Sequence, residues 1–322
     1  MNILVTGIDG FVGSHLAEAL LQRPGDRAFG FIRGNTPSPL IDRIRDRLTL
    51  IPCELNDLDG MRTAITKVNP DGIVHLAGQA FVPTSFTSPL ETFQTNIIGT
   101  IHLLECVRQL KLACAVIVVS SGEVYGGVEA SRLPIDESFP LMPQNPYAAS
   151  KACADLLAQQ YRSSFGLKVV VARPFNHLGP GQSEQFVGSA FAKQIAEIKL
   201  GKRPNELSVG NLDALRDFTD VRDVVQAYVK ILAVADQHAV YNICSGVPTS
   251  VREILDTLRE LSGLDFSIVT DPARMRPSDT HVITGSSQRL RVATTWEPRI
   301  TLRQTLGDLL SYWIDRVGRS DQ

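Results

Sequence analysis

Apolar positions in this chain switch repeatedly between two periods. Short, continuous, β-branched runs fall at 3–5, 28–32, 48–52, 72–77, 115–119, 168–172 and 240–243. Each has the length and continuity of a strand buried on both faces. Between them apolar residues return at helical spacing, at 14–21, at roughly 91–110 and from Tyr147 to about Phe165. This alternation predicts an α/β fold with a doubly wound parallel sheet, helices on both faces. After Arg173 the rhythm breaks at Pro174-Phe175-Asn176-His177-Leu178-Gly179-Pro180-Gly181-Gln182. Further helices are expected at 187–200, 221–234, 250–262 and 301–316. A short strand is expected at 266–269, and an irregular loop at Arg276-Pro277-Ser278-Asp279. The chain parses as a first unit over 1–172, with 211–244 returning to it. A smaller α/β unit, over 173–210 and 245–322, grows from the loops at the sheet's carboxyl end. No repeat, low-complexity tract or linker interrupts this plan.

The first strand runs into Gly7-Ile8-Asp9-Gly10-Phe11-Val12-Gly13 and then a helix. Strand, glycine turn and helix together make a phosphate loop. Gly7 permits the tight turn, and Gly10 removes a Cβ where a diphosphate must approach. Gly13 lets helix and strand pack closely, and the N–H groups at the helix start hold the phosphates. Phe11 and Val12 lie in the same loop. A dinucleotide is therefore expected. At the end of the second strand, where a carboxylate would read the ribose of NAD, Arg33 stands instead. A cation there suits a 2′-phosphate, so NADP(H) is preferred and NAD(H) remains possible. Glu54 and Leu55 after the third strand, and Leu76 and Ala77 at the end of the fourth, are expected to line the same cofactor. His75, inside an apolar run, reads as a satisfied core histidine.

Composition narrows the partners more than the chemistry. The net charge of -2 and 20% charged residues give no global argument for nucleic acid or a membrane. No apolar run reaches the ~20 residues of a span. Five cysteines are scattered and never paired as C-x-x-C, and the histidines form no H-x-x-x-H pair. Reduced thiols in a cytoplasmic protein, and no metal site, are the expectation.

Chemistry concentrates at Asn145-Pro146-Tyr147-Ala148-Ala149-Ser150-Lys151. Pro146 suits the first turn of a helix, and residues four apart share a face. Lys151 would then sit beside the Tyr147 phenol and favour its ionised form, making it an acid–base catalyst near neutral pH. The fifth strand delivers Ser120-Ser121-Gly122-Glu123 at its carboxyl end, where such sheets bind ligands. Ser121 is placed there for chemistry, although a serine after a strand is more often just a turn or cap residue.

With these motifs in place the chain resembles the extended short-chain dehydrogenases/reductases, in their nucleotide-sugar branch, over about residues 1–316. The resemblance rests on Thr6-Gly7-x-x-Gly10-Phe11-Val12-Gly13, His75-Leu76-Ala77, Ser120-Ser121-x-x-Val124-Tyr125-Gly126 and Tyr147-x-x-x-Lys151. It implies a Rossmann domain, Ser121 and Tyr147 on the reacting sugar oxygen, and Lys151 also on the nicotinamide ribose. The stretches 173–182, 191–195, 209–217 and 276–278 resemble the GDP-sugar enzymes of that branch, the 4,6-dehydratases and the 4-keto-6-deoxyhexose reductases. Arg216 and Arg276 would clamp a diphosphate, with Asn176 and Lys193 as further donors, and Ser121, Glu123 and Val209 along the substrate. Phe11-Val12, Leu178-Gly179-Pro180-Gly181-Gln182 and Ser121 depart from the dehydratase pattern and favour the reductase. Glu123 occupies the dehydratase's carboxylate position. The implied reaction is NADPH-dependent reduction of GDP-4-dehydro-6-deoxy-D-mannose at C4, to GDP-D-rhamnose or its epimer GDP-6-deoxy-D-talose. A 4,6-dehydratase, an epimerase or a silent NADP(H)-binding regulator are the alternatives. The resemblance also implies a homodimer through helices 91–110 and 147–165.

Overall fold

The computed structural model describes residues 1–274 and 282–319. Its central sheet contains β1 (Asn2–Thr6), β2 (Arg27–Ile32), β3 (Thr49–Pro52), β4 (Gly72–His75), β5 (Ala115–Val119) and β6 (Val169–Pro174). Beyond β7 (Asn176–Leu178), β8 (Glu206–Val209) and β9 (Leu215–Asp220), the chain returns to the sheet with β10 (Val240–Ile243). The sheet has seven strands in the order β10-β6-β5-β4-β1-β2-β3. Every pairing in it is parallel. Strand order therefore reverses between β1 and β4, which opens a crevice at their carboxyl ends. This is the predicted doubly wound Rossmann sheet.

Helices α1 (Phe11–Leu21), α2 (Leu58–Val68), α3 (Val82–Thr87), α4 (Pro89–Phe93), α5 (Gly99–Gln109) and α6 (Pro146–Phe165) come before the break in rhythm. Helices α7 (Val187–Lys199), α8 (Val221–Ala233), α9 (Val251–Ser262), α10 (Gln288–Thr294) and α11 (Leu302–Arg319) follow it. Leu16, Leu20, Val224 and Tyr228 bury one sheet face, and Met61, Ile65, Leu103 and Tyr161 the other. A separate core joins α7, α9 and α11 through Phe191, Ile195, Leu255, Leu306 and Trp313.

One expectation is refined and one corrected. The helix predicted at 91–110 is present over Pro89–Gln109, with a π-helical turn at Gln94–Ile98 between α4 and α5. That turn puts the Asn96 side chain into the protein, where its hydrogen bonds replace regular helix geometry. The boundary placed at 211 also differs. β9 pairs with β7, β11 (Pro248–Ser250) and β13 (Val282–Ile283) in a second sheet, and Leu212, Ala214 and Phe218 join the second core. Of the stretch 211–244, α8 and β10 pack with the first unit, and so does α10, which the sequence places in the second unit, through Leu290 and, just beyond it, Trp296. The other strand predicted in this half is β12 (Ser267–Thr270), which pairs with β8. β7, β11 and β13 are two or three residues long, too short for periodicity to register.

Helix α6 is held at its start by the Asn145 side chain, which accepts from Ala148 N at 2.7 Å, with Pro146 in the first turn. Gly166, at φ 67°, ends it. Deeper, Asp155 takes a forked pair of bonds from Arg173, at 2.7 and 3.0 Å. Arg173 also donates to the Tyr125 hydroxyl (2.8 Å), which donates to Asn242 (2.7 Å). The network locks α6 to β6, β10 and the turn after β5. Removing one partner of a buried pair strands the other charge. Asp155→Leu is expected to cost about 3–5 kcal/mol in a denaturant titration. A cost below about 1 kcal/mol would mean Arg173 finds solvent or another partner in the variant.

Candidate active site

The glycine loop is built as a cradle with no room for side chains. Gly7 lies at φ 70°, and a Cβ there would stand 3.1 Å from the Ala77 Cα. A Cβ on Gly13 would stand 2.1 Å from the Gly7 carbonyl oxygen, so α1 packs directly on the turn. Gly10 caps α1 without a side-chain bond, and no acidic residue occupies the first turn. The N–H groups of this helix start can therefore take an anion, the test a dinucleotide diphosphate must meet. Arg33 is exposed at the end of β2, and Glu54 is exposed just past β3. Leu55, Leu76 and Ala77 are half-buried around the same carboxyl edge.

A chain of hydrogen bonds runs from this loop to α6. Ala77 N donates to Thr6 Oγ1 (3.0 Å), so the Thr6 hydroxyl gives its own proton to His75 Nδ1 (2.8 Å). His75 Nε2 then donates to Thr100 Oγ1 (3.2 Å), which donates to the Asn96 carbonyl (2.7 Å). This assignment of protons is the one in which every partner is used. Burial holds His75 neutral, its pKa lowered to about 3. It is the satisfied core histidine predicted. The Asn96 amide donates to Gln79 O (3.0 Å) and Ser150 Oγ (2.9 Å), while its oxygen accepts from Gln79 N (2.8 Å). Ser150 Oγ donates to the Tyr147 carbonyl at 2.7 Å. Asn96 and Ser150 were missed by sequence reasoning. The one clue was an asparagine and a glycine inside an otherwise helical run.

Ser121, Tyr147 and Lys151 are all buried, at 8%, 9% and 9% exposure. The Ser121 hydroxyl lies near the Tyr147 phenol and favours its ionised form. Its oxygen also accepts from Glu123 N at 3.2 Å. Lys151 Nζ donates to the Val119 carbonyl at 2.9 Å, and the Gly78 backbone closes over it. Electrostatics here differ from the sequence expectation. Burial raises the Tyr147 phenol to about 12, opposed by the nearby Ser121 hydroxyl and reinforced by the Glu123 charge. Burial lowers Lys151 to about 8. Desolvation of the phenolate thus outweighs any help from the lysine.

Of the residues assigned to a substrate, Ser121 and Glu123 lie in the turn after β5 and the described others on the second unit. Asn176 is exposed on β7, pairing with Phe218. Arg216 is buried on β9, donating to the Leu215 carbonyl at 2.9 Å. Val209 is buried at the end of β8. Lys193 faces Glu184 and Glu197 (3.4 and 3.6 Å), with the Trp313 ring near by, so its charge is already shared. Glu123 accepts a long bond from Asn145 Nδ2 (3.5 Å), which places a carboxylate close to Tyr147. Arg276 and its loop at 276–279 lie outside the described residues. Among the described residues no cluster of metal-binding side chains occurs, and no helix is long and apolar enough to cross a membrane.

Comparison with known proteins matches this arrangement. GDP-6-deoxy-D-mannose reductase of Pseudomonas aeruginosa is 40% identical over 316 residues, covering 98% of both chains. GDP-6-deoxy-D-talose 4-dehydrogenase of Aggregatibacter actinomycetemcomitans is 32% identical, covering 90% of both. The structure of the Pseudomonas aeruginosa protein RMD complexed with NADPH superimposes with a TM-score of 0.85 at 38% identity, over 98% of this chain and 99% of that one. The family model described as GDP-mannose 4,6 dehydratase matches residues 4–309. With its glycine cradle and its buried Ser121, Tyr147 and Lys151, the chain belongs to the GDP-mannose 4,6-dehydratase family of extended short-chain dehydrogenases/reductases.

Proposed function

We propose that this protein is an NADPH-dependent reductase of GDP-4-dehydro-6-deoxy-D-mannose. It forms GDP-D-rhamnose, or GDP-6-deoxy-D-talose if the C4 ketone presents its other face. The observation carrying this reading is the pair of buried hydroxyls, Ser121 and Tyr147, at the carboxyl edge of the sheet beside an open helix start. The 40% identical reductase relative supports the substrate class.

Gly7, Gly10, Phe11, Val12 and Gly13 would hold the diphosphate of NADP(H), with Arg33 at its 2′-phosphate and Glu54, Leu55, Leu76 and Ala77 along its length. Bound NADPH supplies the hydride. Tyr147 gives its phenolic proton to the C4 oxygen as negative charge develops there. With its phenol raised to about 12, Tyr147 is protonated at neutral pH and is a weak acid, able to give its proton only to an oxygen as basic as an alkoxide forming at C4. Ser121 steadies the same oxygen with its hydroxyl. An ammonium has three donors, so Lys151, spending one on Val119, keeps others for the nicotinamide ribose. Asn176, Lys193, Val209, Arg216 and Arg276 would receive the GDP-sugar. Glu123 is the one group favouring a second reading, the 4,6-dehydratase, because a carboxylate beside Tyr147 can remove a carbon-bound proton.

The reduced thiols suit the cytoplasm. Leu90, Ile98 and Leu156 are 82%, 41% and 58% exposed on α4, the π turn and α6, which pack together. A homodimer would cover them. Light scattering should give twice the chain mass, and a monomer at micromolar concentration would end that part of the proposal.

Mixing the protein with the 4-keto GDP-sugar and NADPH should consume nicotinamide absorbance faster than with NADH, with NMR giving the C4 configuration. Tyr147→Phe should lower kcat by about 10²–10⁴ with little change in NADPH affinity. Oxidation of neither cofactor by the wild type would sink the reductase reading. The pH profile carries a separate expectation. Lys151, its pKa depressed to about 8, loses its charge as pH rises through that value. Tyr147, held near 12, does not titrate there. kcat/KM should therefore fall about tenfold per pH unit above roughly pH 8. A rate flat to pH 10 would remove Lys151 as the titrating group.

A further inference from the structure

A contact joins the cofactor side to the substrate side that the mechanism does not use. His15 lies on α1, two residues past Gly13 of the glycine cradle, and its Nε2 is 2.8 Å from the Pro180 carbonyl oxygen. A carbonyl only accepts, so Nε2 carries the proton and donates. The ring stands edge-on to Phe11, centroids 5.7 Å apart, and Phe11 in turn stacks on His177 at 6.0 Å. Between them the loop has no side chains to spare. A Cβ on Gly179 would lie 2.5 Å from Val221 Cγ1, and Gly181 sits at φ 91° beside Leu40 and Phe11. The far end of the loop is tied elsewhere. Gln182 Nε2 donates to the His177 carbonyl (2.8 Å), and the Gln182 carbonyl accepts from Ser189 of α7 (2.6 Å). The segment that begins with Asn176 is thus fastened to α1 at its middle and to α7 at its end. Residues 15 and 180 meet across 165 positions of chain.

We propose that His15 is a positioning residue that couples the two ligand sites. This rests on the function proposed above, with the dinucleotide on the start of α1 and the nucleoside diphosphate beside Asn176. A dinucleotide that orders the first turns of α1 fixes His15, and His15 fixes Pro180 and the segment leading back to Asn176. The coupling is reciprocal by linkage, so the sugar nucleotide tightens the dinucleotide by the same factor.

Calorimetric titration of the purified full chain with GDP, with and without saturating NADP⁺, tests this. In the wild type NADP⁺ should tighten GDP by about tenfold. In His15→Ala that factor should drop below about twofold with the melting temperature held, whereas general damage would weaken both ligands and leave their ratio intact. His15→Gln, whose amide can still donate to Pro180, should keep most of the coupling, and serves alone if the alanine variant does not fold. An unchanged factor in His15→Ala, its absence from the wild type, or its loss in a folded His15→Gln overturns the inference. Failure of the wild type to bind either ligand alone would instead overturn the functional reading beneath it.

Discussion

The site hangs on one run of buried hydrogen bonds, from Ala77 N through Thr6, His75, Thr100, Asn96 and Ser150 to the Tyr147 carbonyl. Each member has the donor or acceptor its neighbour lacks, and the histidine is neutral because burial forbids its charge. The run crosses from β1 and β4 to α6, so it ties the glycine cradle to the helix bearing the proposed acid. A regular helix at 94–98 would turn Asn96 to another direction, which gives the π turn a physical purpose.

Burial then sets the electrostatics. It works against charge on both Tyr147 and Lys151, moving the phenol up and the ammonium down. The outcome is a phenol that is protonated at neutral pH and gives its proton up only to a strongly basic oxygen. An exposed Tyr-x-x-x-Lys pair with the same spacing would lack this bias. The buried Arg173–Asp155 pair holds α6 where the burial occurs, with Asp155 one turn beyond Lys151. A charged pair so deep is expensive to desolvate, and its forked geometry with Tyr125 and Asn242 offsets that cost.

The second unit is an outgrowth of the sheet's carboxyl edge and never detaches from it. β7 follows β6 after one residue, and β9 leads directly into α8, which packs on the first core. Asp217, buried on β9, accepts from Ser245 and from the Gly246 and Gly285 backbones. This anchors the second sheet to the loop after β10. The loop over α1 adds a further seam, the His15–Pro180 contact between the glycine cradle and the segment that begins at Asn176.

Sequence by itself determined the parallel sheet and the glycine turn, and it marked Tyr147 and Lys151 by their interval, while Ser121 was marked by the family resemblance. Period, glycine spacing and the four-residue interval are local properties that survive without tertiary contacts. The resemblance of 173–182 and 209–217 to GDP-sugar enzymes carried the substrate class, which no periodicity could. Tertiary structure alone decided the rest. The second sheet is built from two- and three-residue strands and from polar β9, whose pairing is nonlocal. Asn96 acts through a helix irregularity, and His15 through a residue 165 positions away. The direction of the Tyr147 shift depended on how much water burial removes, and spacing along a helix does not encode that quantity.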